Sequence, residues 1–366
     1  MKISLVYSAY PGRATGNVDP SSVRAHVTDL AGSLEQRGHA VTVDALRHDP
    51  LERMSRTIRD LDRKWSEYEP DVVHAHLWTS GLASLAAIRQ STVLRKVPVV
   101  QTFHSLDPGR TSSETHEWLR LEAAVARGVN RIAATSRQEL ADLVALGARR
   151  RDIEVIPHGV DTDLFTPDGP ADPKGELPRL LAAGPMIPAA GFDVAVHAMA
   201  GLHDTELMIA GGRPPGTTGR WSLKTDDEAS RLRELADRLG VAERVRLVDL
   251  PPRHAWPALL RSADIVVCTP SRDAPGTTVI EAMACGRPIV AAAVGELLDI
   301  VIEGTTGILV PPRNPTALTR ALRELLGDPI RLDGFGLAAA DRARVRHAWA
   351  RVTDEVARAY EHALAG

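Results

Sequence analysis

Residues 265–292 read IVVCTPSRDAPGTTVIEAMACGRPIVAA. Its first four residues are apolar and mostly β-branched, which predicts a buried strand. A loop with Pro and Gly follows, and residues 277–284 then predict a helix that leads into another buried strand at 289–292. A strand–loop–helix–strand unit is typical of a parallel sheet covered by helices.

The same alternation continues in both directions along the 366 residues. It is interrupted at residues 166–178, TPDGPADPKGELP, whose composition is typical of a linker. The sequence therefore predicts an α/β protein with two Rossmann-like domains facing each other across a cleft. We expect an N-terminal domain at 1–168, a C-terminal domain at 176–346, and a final helix at 347–366 that packs back on the N-terminal domain.

Composition excludes several classes of protein. A net charge of -3 does not favour nucleic-acid binding, and no apolar run is long enough to span a bilayer. The chain has two cysteines, Cys268 and Cys285, which favours a reducing compartment, so we expect a cytoplasmic protein. A dinucleotide dehydrogenase is excluded because residues 7–16, YSAYPGRATG, follow the first strand without a G-x-G-x-x-G pattern.

The loop and helix at 270–284 contain residues suited to a nucleotide. The backbone amides at Gly276, Thr277 and Thr278 open the predicted helix and form an anion site. Glu281 lies one turn further on, where a carboxylate can accept from both hydroxyls of a ribose. Asp273, in the loop, can accept from the hydroxyls of a transferred sugar.

This stretch resembles the acid-x7-acid signature of retaining glycosyltransferases of family four, which have the GT-B fold and include sucrose synthase-like and mycothiol-pathway enzymes. Three N-terminal segments also resemble that family: residues 71–81 (DVVHAHLWTSG), 102–106 (TFHSL) and 155–165 (VIPHGVDTDLF). The resemblance implies a glycosyltransferase that moves a sugar from a nucleoside diphosphate sugar to a hydroxyl of a small-molecule acceptor. Specialised-metabolite or cell-surface glycan biosynthesis would fit such a reaction.

The resemblance also implies site residues. His104 and Asp273 would be catalytic, and His76, Trp78 and His104 would contact the acceptor, although Trp78 suits a packing role equally well. The expected donor-binding residues are Ser21, Ser22, Gly184, Leu250, Arg253, Asp273, Gly276, Thr277, Thr278 and Glu281. We expect no metal cofactor, because no acid or cysteine joins His74, His76 and His104 at ligand spacing.

The sequence departs from the family pattern at three places. Ser21 and Ser22 replace two glycines, and Asp273 replaces a glutamate. Pro185 and Ala190 stand where the family has an arginine and a lysine that neutralise the leaving diphosphate. Each such cation contributes roughly 2–4 kcal/mol to catalysis. Substitute cations would have to come from elsewhere in the chain, and the arginines we consider are Arg13, Arg213, Arg253 and Arg272.

These departures leave a second hypothesis open, that of a catalytically weak or inactive relative acting as a binding partner. The donor base and sugar, the acceptor and the oligomeric state are not predicted by the sequence.

Overall fold

The computed structural model describes residues 1–8, 20–46, 53–104, 113–212, 222–272 and 275–366. The described chain forms two compact units. The first comprises Met1–Gly159 together with Trp349–Gly366, and the second comprises Val160–Ala348.

The first unit is built on a six-stranded parallel sheet of order β2-β1-β3-β4-β5-β6. Apolar side chains on both faces of the sheet pack against helices, which gives three layers. Its elements, in chain order, are β1 (Lys2–Ser8), α1 (Pro20–Gln36), β2 (Ala40–Leu46), α2 (Met54–Tyr68), β3 (Val72–His76), α3 (Trp78–Gln90), β4 (Val99–Thr102), α4 (Ser113–Gly128), β5 (Arg131–Ala134), α5 (Arg137–Ala145) and β6 (Ile153–Val155).

The second unit repeats this architecture with the strand order β12-β11-β10-β7-β8-β9. Its two core clusters likewise lie on the two faces of the sheet. The elements are β7 (Arg179–Pro185), α6 (Phe192–Ala198), β8 (Glu206–Gly212), α7 (Asp227–Arg238), β9 (Val245–Asp249), α8 (Trp256–Ser262), β10 (Ile265–Cys268), α9 (Thr277–Ala284), β11 (Ile289–Ala292), α10 (Leu297–Ile300), β12 (Gly307–Val310), α11 (Pro315–Leu326) and α12 (Pro329–Arg342). The prediction of two Rossmann-like α/β units is therefore confirmed.

The C-terminal helix α13 (Trp349–Leu364) belongs to the first unit. The Tyr360 hydroxyl lies 2.8 Å from His74 Nδ1 of β3, and Thr353 Oγ1 donates to Ser33 Oγ of α1 at 2.8 Å. Trp349, Val352 and Val356 are buried on that face of the sheet, in one core cluster with residues of β1 and α1. The last helix thus completes one layer of the N-terminal unit.

The segment predicted as a linker, residues 166–178, lies within the second unit, and the boundary between units falls earlier, at Gly159 and Val160. Long basic side chains hold this segment. Arg261 donates to the carbonyls of Pro170 and Thr166 at 2.8 and 3.1 Å, and Lys174 Nζ lies 2.6 Å from Asp264 Oδ2. Composition therefore indicates an irregular segment, but side-chain hydrogen bonds decide which unit it joins.

In both sheets the first strand of the unit has later strands on both of its sides: β2 and β3 flank β1, and β10 and β8 flank β7. The strand order therefore changes direction next to β1 and next to β7. Each of these places is a topological switch point at the carboxyl edge of its sheet. Ligands of open α/β sheets bind at such points. The residues of interest are therefore those at the carboxyl ends of β1, β3 and β4 and of β7, β8 and β10.

Candidate functional site

In the second unit, Glu281 lies in the second turn of α9, and both of its carboxylate oxygens are engaged. Arg253 Nη1 donates to Oε1 at 3.2 Å, and Trp256 Nε1 donates to Oε2 at 2.8 Å. The Glu281 side chain keeps 15% of its surface exposed. The carboxylate is thus held in one orientation while remaining accessible, as a group that binds vicinal hydroxyls has to be.

The start of α9 is organised around Gly276. Its buried amide donates to Glu296 Oε2 at 3.0 Å, and its carbonyl accepts from the Ile280 amide. A Cβ on Gly276 would lie 2.1 Å from Ile300 Cδ1, so a side chain has no room there. Thr277 and Thr278 follow as the first two residues of the helix and are half-buried.

Glu296 modifies the predicted anion site. Glu296 is 2% exposed, and its carboxylate accepts from the Gly276 amide, which we expect to contribute to phosphate binding. An α-helix leaves its first four amides without partners inside the helix, so those after Gly276 carry the remaining capacity for an anion. The Gly276 amide is thus engaged by Glu296, and the contribution of Gly276 to phosphate binding stays a prediction.

Gly184 and Leu250 both lie close to Gly212, the last residue of β8, at the carboxyl ends of the strands. A Cβ added to Gly212 would lie 3.5 Å from the Gly184 carbonyl oxygen and 3.6 Å from Leu250 Cδ2. Leu250 is exposed, and its amide donates to the Gly211 carbonyl at 3.1 Å. Gly184 has a φ of +154°, in the range that favours glycine.

Two of the four arginines considered as substitute cations lie within the described chain. Arg253 pairs with Glu281, and its guanidinium carbon lies 5.4 Å from the centroid of the Phe165 ring. Arg272 is exposed in the loop after β10. Arg13 and Arg213 fall outside the described residues, as does Asp273, so their predicted roles stay predictions.

In the first unit, the predicted histidines come together at the carboxyl edge of the sheet. His76 ends β3 and His104 follows β4, and both are buried. His76 Nδ1 lies 3.0 Å from His104 Nε2. His104 has a φ of +66°, which costs a non-glycine residue about 1–3 kcal/mol and is typical of residues held for a function.

Two further histidines belong to this cluster and were not among the predicted site residues. His158 Nε2 lies 3.2 Å from His104 Nδ1, and the His26 ring centroid lies 4.9 Å from that of His104. His26 lies one helical turn after Ser22 on α1, so both residues face the same side of the helix. The four-residue spacing from Ser22 could have identified His26 from the sequence, because Ser22 is itself predicted to bind the donor.

Burial determines the charge of this histidine cluster, which we define as His26, His74, His76, His104 and His158. Removal from water lowers the pKa of His74 to about 3. Burial first, and neighbouring histidines second, hold the pKa of His26, His76 and His104 well below the ordinary value. His26, His74, His76 and His104 are therefore neutral at physiological pH, and they can exchange hydrogen bonds without repelling one another.

The remaining predicted residues have less informative positions. Trp78 opens α3 and is buried in the hydrophobic core, which is the packing role left open above. Ser22 is half-buried on α1, and Ser21 lies in the same helix with its side chain outside the described set. No helix among the described residues is both long enough and apolar enough to cross a membrane.

Family models match both units. Residues 23–164 match the model described as "Glycosyltransferase Family 4", and residues 170–342 match "Glycosyl transferases group 1". The first match contains the histidine cluster, and the second contains Gly276, Glu281 and Glu296.

Similar proteins agree with these matches. D-inositol 3-phosphate glycosyltransferase 1 of Catenulispora acidiphila is 32% identical over 310 residues, which cover 81% of this chain and 73% of that protein. Sucrose-phosphate synthase of Thermosynechococcus elongatus has a similar fold, with a TM-score of 0.83, 22% identity and full coverage of both chains. Anabaena HepE in complex with UDP has a TM-score of 0.77 at 20% identity, covering 99% of this chain and 100% of that one. The chain belongs to glycosyltransferase family 4 and is a glycosyltransferase of the GT-B fold.

Proposed function

We propose that this glycosyltransferase is a retaining enzyme that moves a sugar from a nucleoside diphosphate donor to a hydroxyl of a small acceptor. The observation that carries the proposal is the environment of Glu281. Its carboxylate is fixed by Arg253 and Trp256, remains partly exposed, and lies in the second turn of α9. A carboxylate fixed before the ligand arrives loses little freedom on binding, so it can grip a ribose diol at low entropic cost.

The donor binds, in this proposal, to the second unit. Glu281 accepts from the ribose hydroxyls, the amides that open α9 after Gly276 hold the diphosphate, and the edge at Gly184 and Leu250 contacts the base. The partial positive charge at a helix start favours an anion. Glu296 sets the position of that helix start through its bond to the Gly276 amide.

Sugar transfer itself would take place on one face of the donor. The bond between the anomeric carbon and the diphosphate oxygen breaks, the acceptor oxygen forms a bond to the same face, and the diphosphate takes the acceptor proton. The protein's contribution is positioning and stabilisation of the departing charge. No metal ion is needed for this step. Arg253 contacts Glu281 and is one of the two candidate cations that lie within the described chain.

For the acceptor we propose a small polyhydroxylated molecule. The curated relatives at 30–35% identity are named D-inositol 3-phosphate glycosyltransferases, so inositol phosphates are the first acceptors to test. His76 and His104 would contact acceptor or sugar hydroxyls. Neutral imidazoles suit that role because each ring has one donor and one acceptor nitrogen.

The experiment combines a donor panel with an acceptor panel. UDP-, GDP- and ADP-linked hexoses and N-acetylhexosamines are incubated with inositol phosphates and other polyols, and products are detected by mass spectrometry. The anomeric proton coupling of the product, measured by NMR before equilibration, then reports the stereochemistry. An axial product from an axial donor supports a retaining enzyme, and an equatorial product contradicts it.

A second candidate function, a non-catalytic relative, is favoured by one observation. Pro185 ends β7 and Ala190 lies in the turn before α6, so neither position supplies a cation. This alternative predicts nucleotide binding without transfer for every pair in the panel. Restoring the cations with Pro185→Arg and Ala190→Lys tests it further, because a dormant transferase site would then gain activity.

A further inference from the structure

Two nitrogens in the histidine cluster lack hydrogen-bond partners within the described part of the chain. They are His76 Nε2 and His26 Nδ1, and both atoms are buried. His76 as a whole is 0% exposed. A buried polar atom without a partner costs about 1–3 kcal/mol, so two of them in one cluster point to a group that binds there.

The geometry of the cluster identifies what can bind. One nitrogen from each of His26, His76 and His104 lies within 4.8 Å of the nitrogens of the other two. A tetrahedral zinc ion, with Zn–N bonds of about 2.0–2.1 Å, holds its nitrogens about 3.3 Å apart. The ligand nitrogens therefore have to approach one another by at most about 1.5 Å when the ion binds.

We propose that His26, His76 and His104 form a binding site for a divalent transition-metal ion. Three imidazoles select zinc, cobalt, nickel or copper over magnesium and calcium, which require oxygen ligands. With three protein ligands a tetrahedral ion keeps a fourth position open for water or a substrate oxygen.

The surroundings of the three rings support a metal site. His158 Nε2 lies 3.2 Å from His104 Nδ1, so it can fix the tautomer and orientation of His104, as the outer partner of a metal-bound histidine does.

His74 is not a ligand, although the sequence places it two residues before His76. Its Nδ1 lies 2.8 Å from the Tyr360 hydroxyl, and its Nε2 lies 2.9 Å from Thr102 Oγ1. Both nitrogens are therefore held by residues outside the histidine cluster, whereas His104 Nε2 bonds, among the described residues, only to His76 Nδ1, and this bond opens when the ion binds. The metal set considered from sequence, with His74 as a member, is replaced by one in which α1 contributes His26.

This site is independent of the proposed function, since the ion would bind the folded chain whether or not it transfers a sugar. Its location adds a consequence if the acceptor does bind there. An ion on His76 and His104 would take the nitrogens assigned to acceptor hydroxyls. A bound ion would then change the rate of sugar transfer, although transfer would not require the ion.

The test uses the full, untagged chain after dialysis against a chelator. Cobalt is titrated in, and the intense visible bands of tetrahedral cobalt are followed, with zinc then added to displace it. We expect one equivalent to bind and zinc to remove the bands. Absence of saturable binding, or only the weak bands of octahedral cobalt, would overturn the proposal.

Variants assign the ligands. His26→Gln removes a half-buried ligand and should weaken binding at least about 100-fold, since losing even an outer partner costs about 10–100-fold. His203→Gln is the matched control because His203 is exposed in the second unit. Circular dichroism of the metal-free variants checks that each is folded, and His158→Gln serves as a milder second variant. Unchanged binding in His26→Gln, or loss in His203→Gln, would contradict the assignment.

Discussion

Arg253 Nη1 lies 3.2 Å from Glu281 Oε1, and the same guanidinium packs over the Phe165 ring. The pair joins the loop after β9 to the middle of α9. Arg253 keeps 40% of its side chain exposed, so the ion pair adds little to stability, about 1 kcal/mol at most. Its importance lies in the direction that it gives to the Glu281 carboxylate.

Substitution of Arg253 should therefore affect donor binding more than folding. We expect Arg253→Met to change the free energy of unfolding by less than about 1 kcal/mol while raising the KM for the donor. Because Arg253 acts through Glu281, its effect and that of Glu281→Gln should not add. Urea denaturation and steady-state kinetics of both single variants and the double variant measure this coupling, and full additivity in the kinetics would contradict it.

Gly276→Ala should destabilise the second unit through one specific clash. The added Cβ would lie 2.1 Å from Ile300 Cδ1 and 3.4 Å from Glu296 Oε2. Overpacking of this kind costs about 1–3 kcal/mol. Ile300→Val removes Cδ1, so the same Gly276→Ala change made in that background should cost clearly less. Chemical denaturation of the four proteins provides the comparison, and equal costs in both backgrounds would refute the clash.

Arg179→Met should be among the more damaging changes in the chain. Arg179 is 1% exposed, and its Nε lies 2.6 Å from Glu206 Oε1, while Nη1 donates to Ser262 Oγ at 2.9 Å. Removing it leaves Glu206 largely buried without its cation, which costs about 3–5 kcal/mol.

The control for Arg179 is Arg238→Met. Arg238 and Glu234 are 3.9 Å apart, and both are more than half exposed, so this pair should contribute about 0.5 kcal/mol or less. The free energy of unfolding of both variants is measured by chemical denaturation. Equal losses in the two variants would contradict the larger contribution of the buried ion pair.

Both cysteines should be inert in the folded protein. Burial raises the pKa of Cys268 to about 12 and that of Cys285 to about 12. At pH 8 a thiol of that pKa is ionised in only about one molecule in 10,000, and the thiolate is the reactive form. We expect a disulfide reagent such as Ellman's to react slowly with the native chain and to titrate two thiols in guanidinium. Rapid reaction of the native chain would contradict this.

The sequence predicts the sheets closely because parallel strands are short, apolar and separated by helices. The predicted bounds of β10, α9 and β11 coincide with the observed ones. For α11 a local signal is visible, since Asn314 caps the helix and Pro315 follows at its first position. The sequence does not indicate the bounds of α6, because its seven residues are too few to show a helical period and it begins at the left-handed Gly191.

The site was predictable where a motif is local and hidden where it depends on tertiary contacts. Glu281 and Gly276 stand in one continuous stretch. Glu296 reaches Gly276 across 20 residues, and Arg253 reaches Glu281 across 28. Neither partner could be assigned from spacing along the chain. The pairing of His26 with His76 and His104 likewise depends on how α1 packs beside β3 and β4.

The most direct test of the central claim is isothermal titration of nucleoside diphosphates into the wild-type chain, Glu281→Gln and Glu234→Gln. Glu234 is an exposed glutamate on α7 and serves as the charge-matched control. A hydrogen bond to a charged group contributes about 1.5–3 kcal/mol, so Glu281→Gln should weaken the preferred nucleotide roughly 10- to 150-fold, with Glu234→Gln unchanged. Equal affinity of all three proteins would contradict the assignment of Glu281 to the ribose.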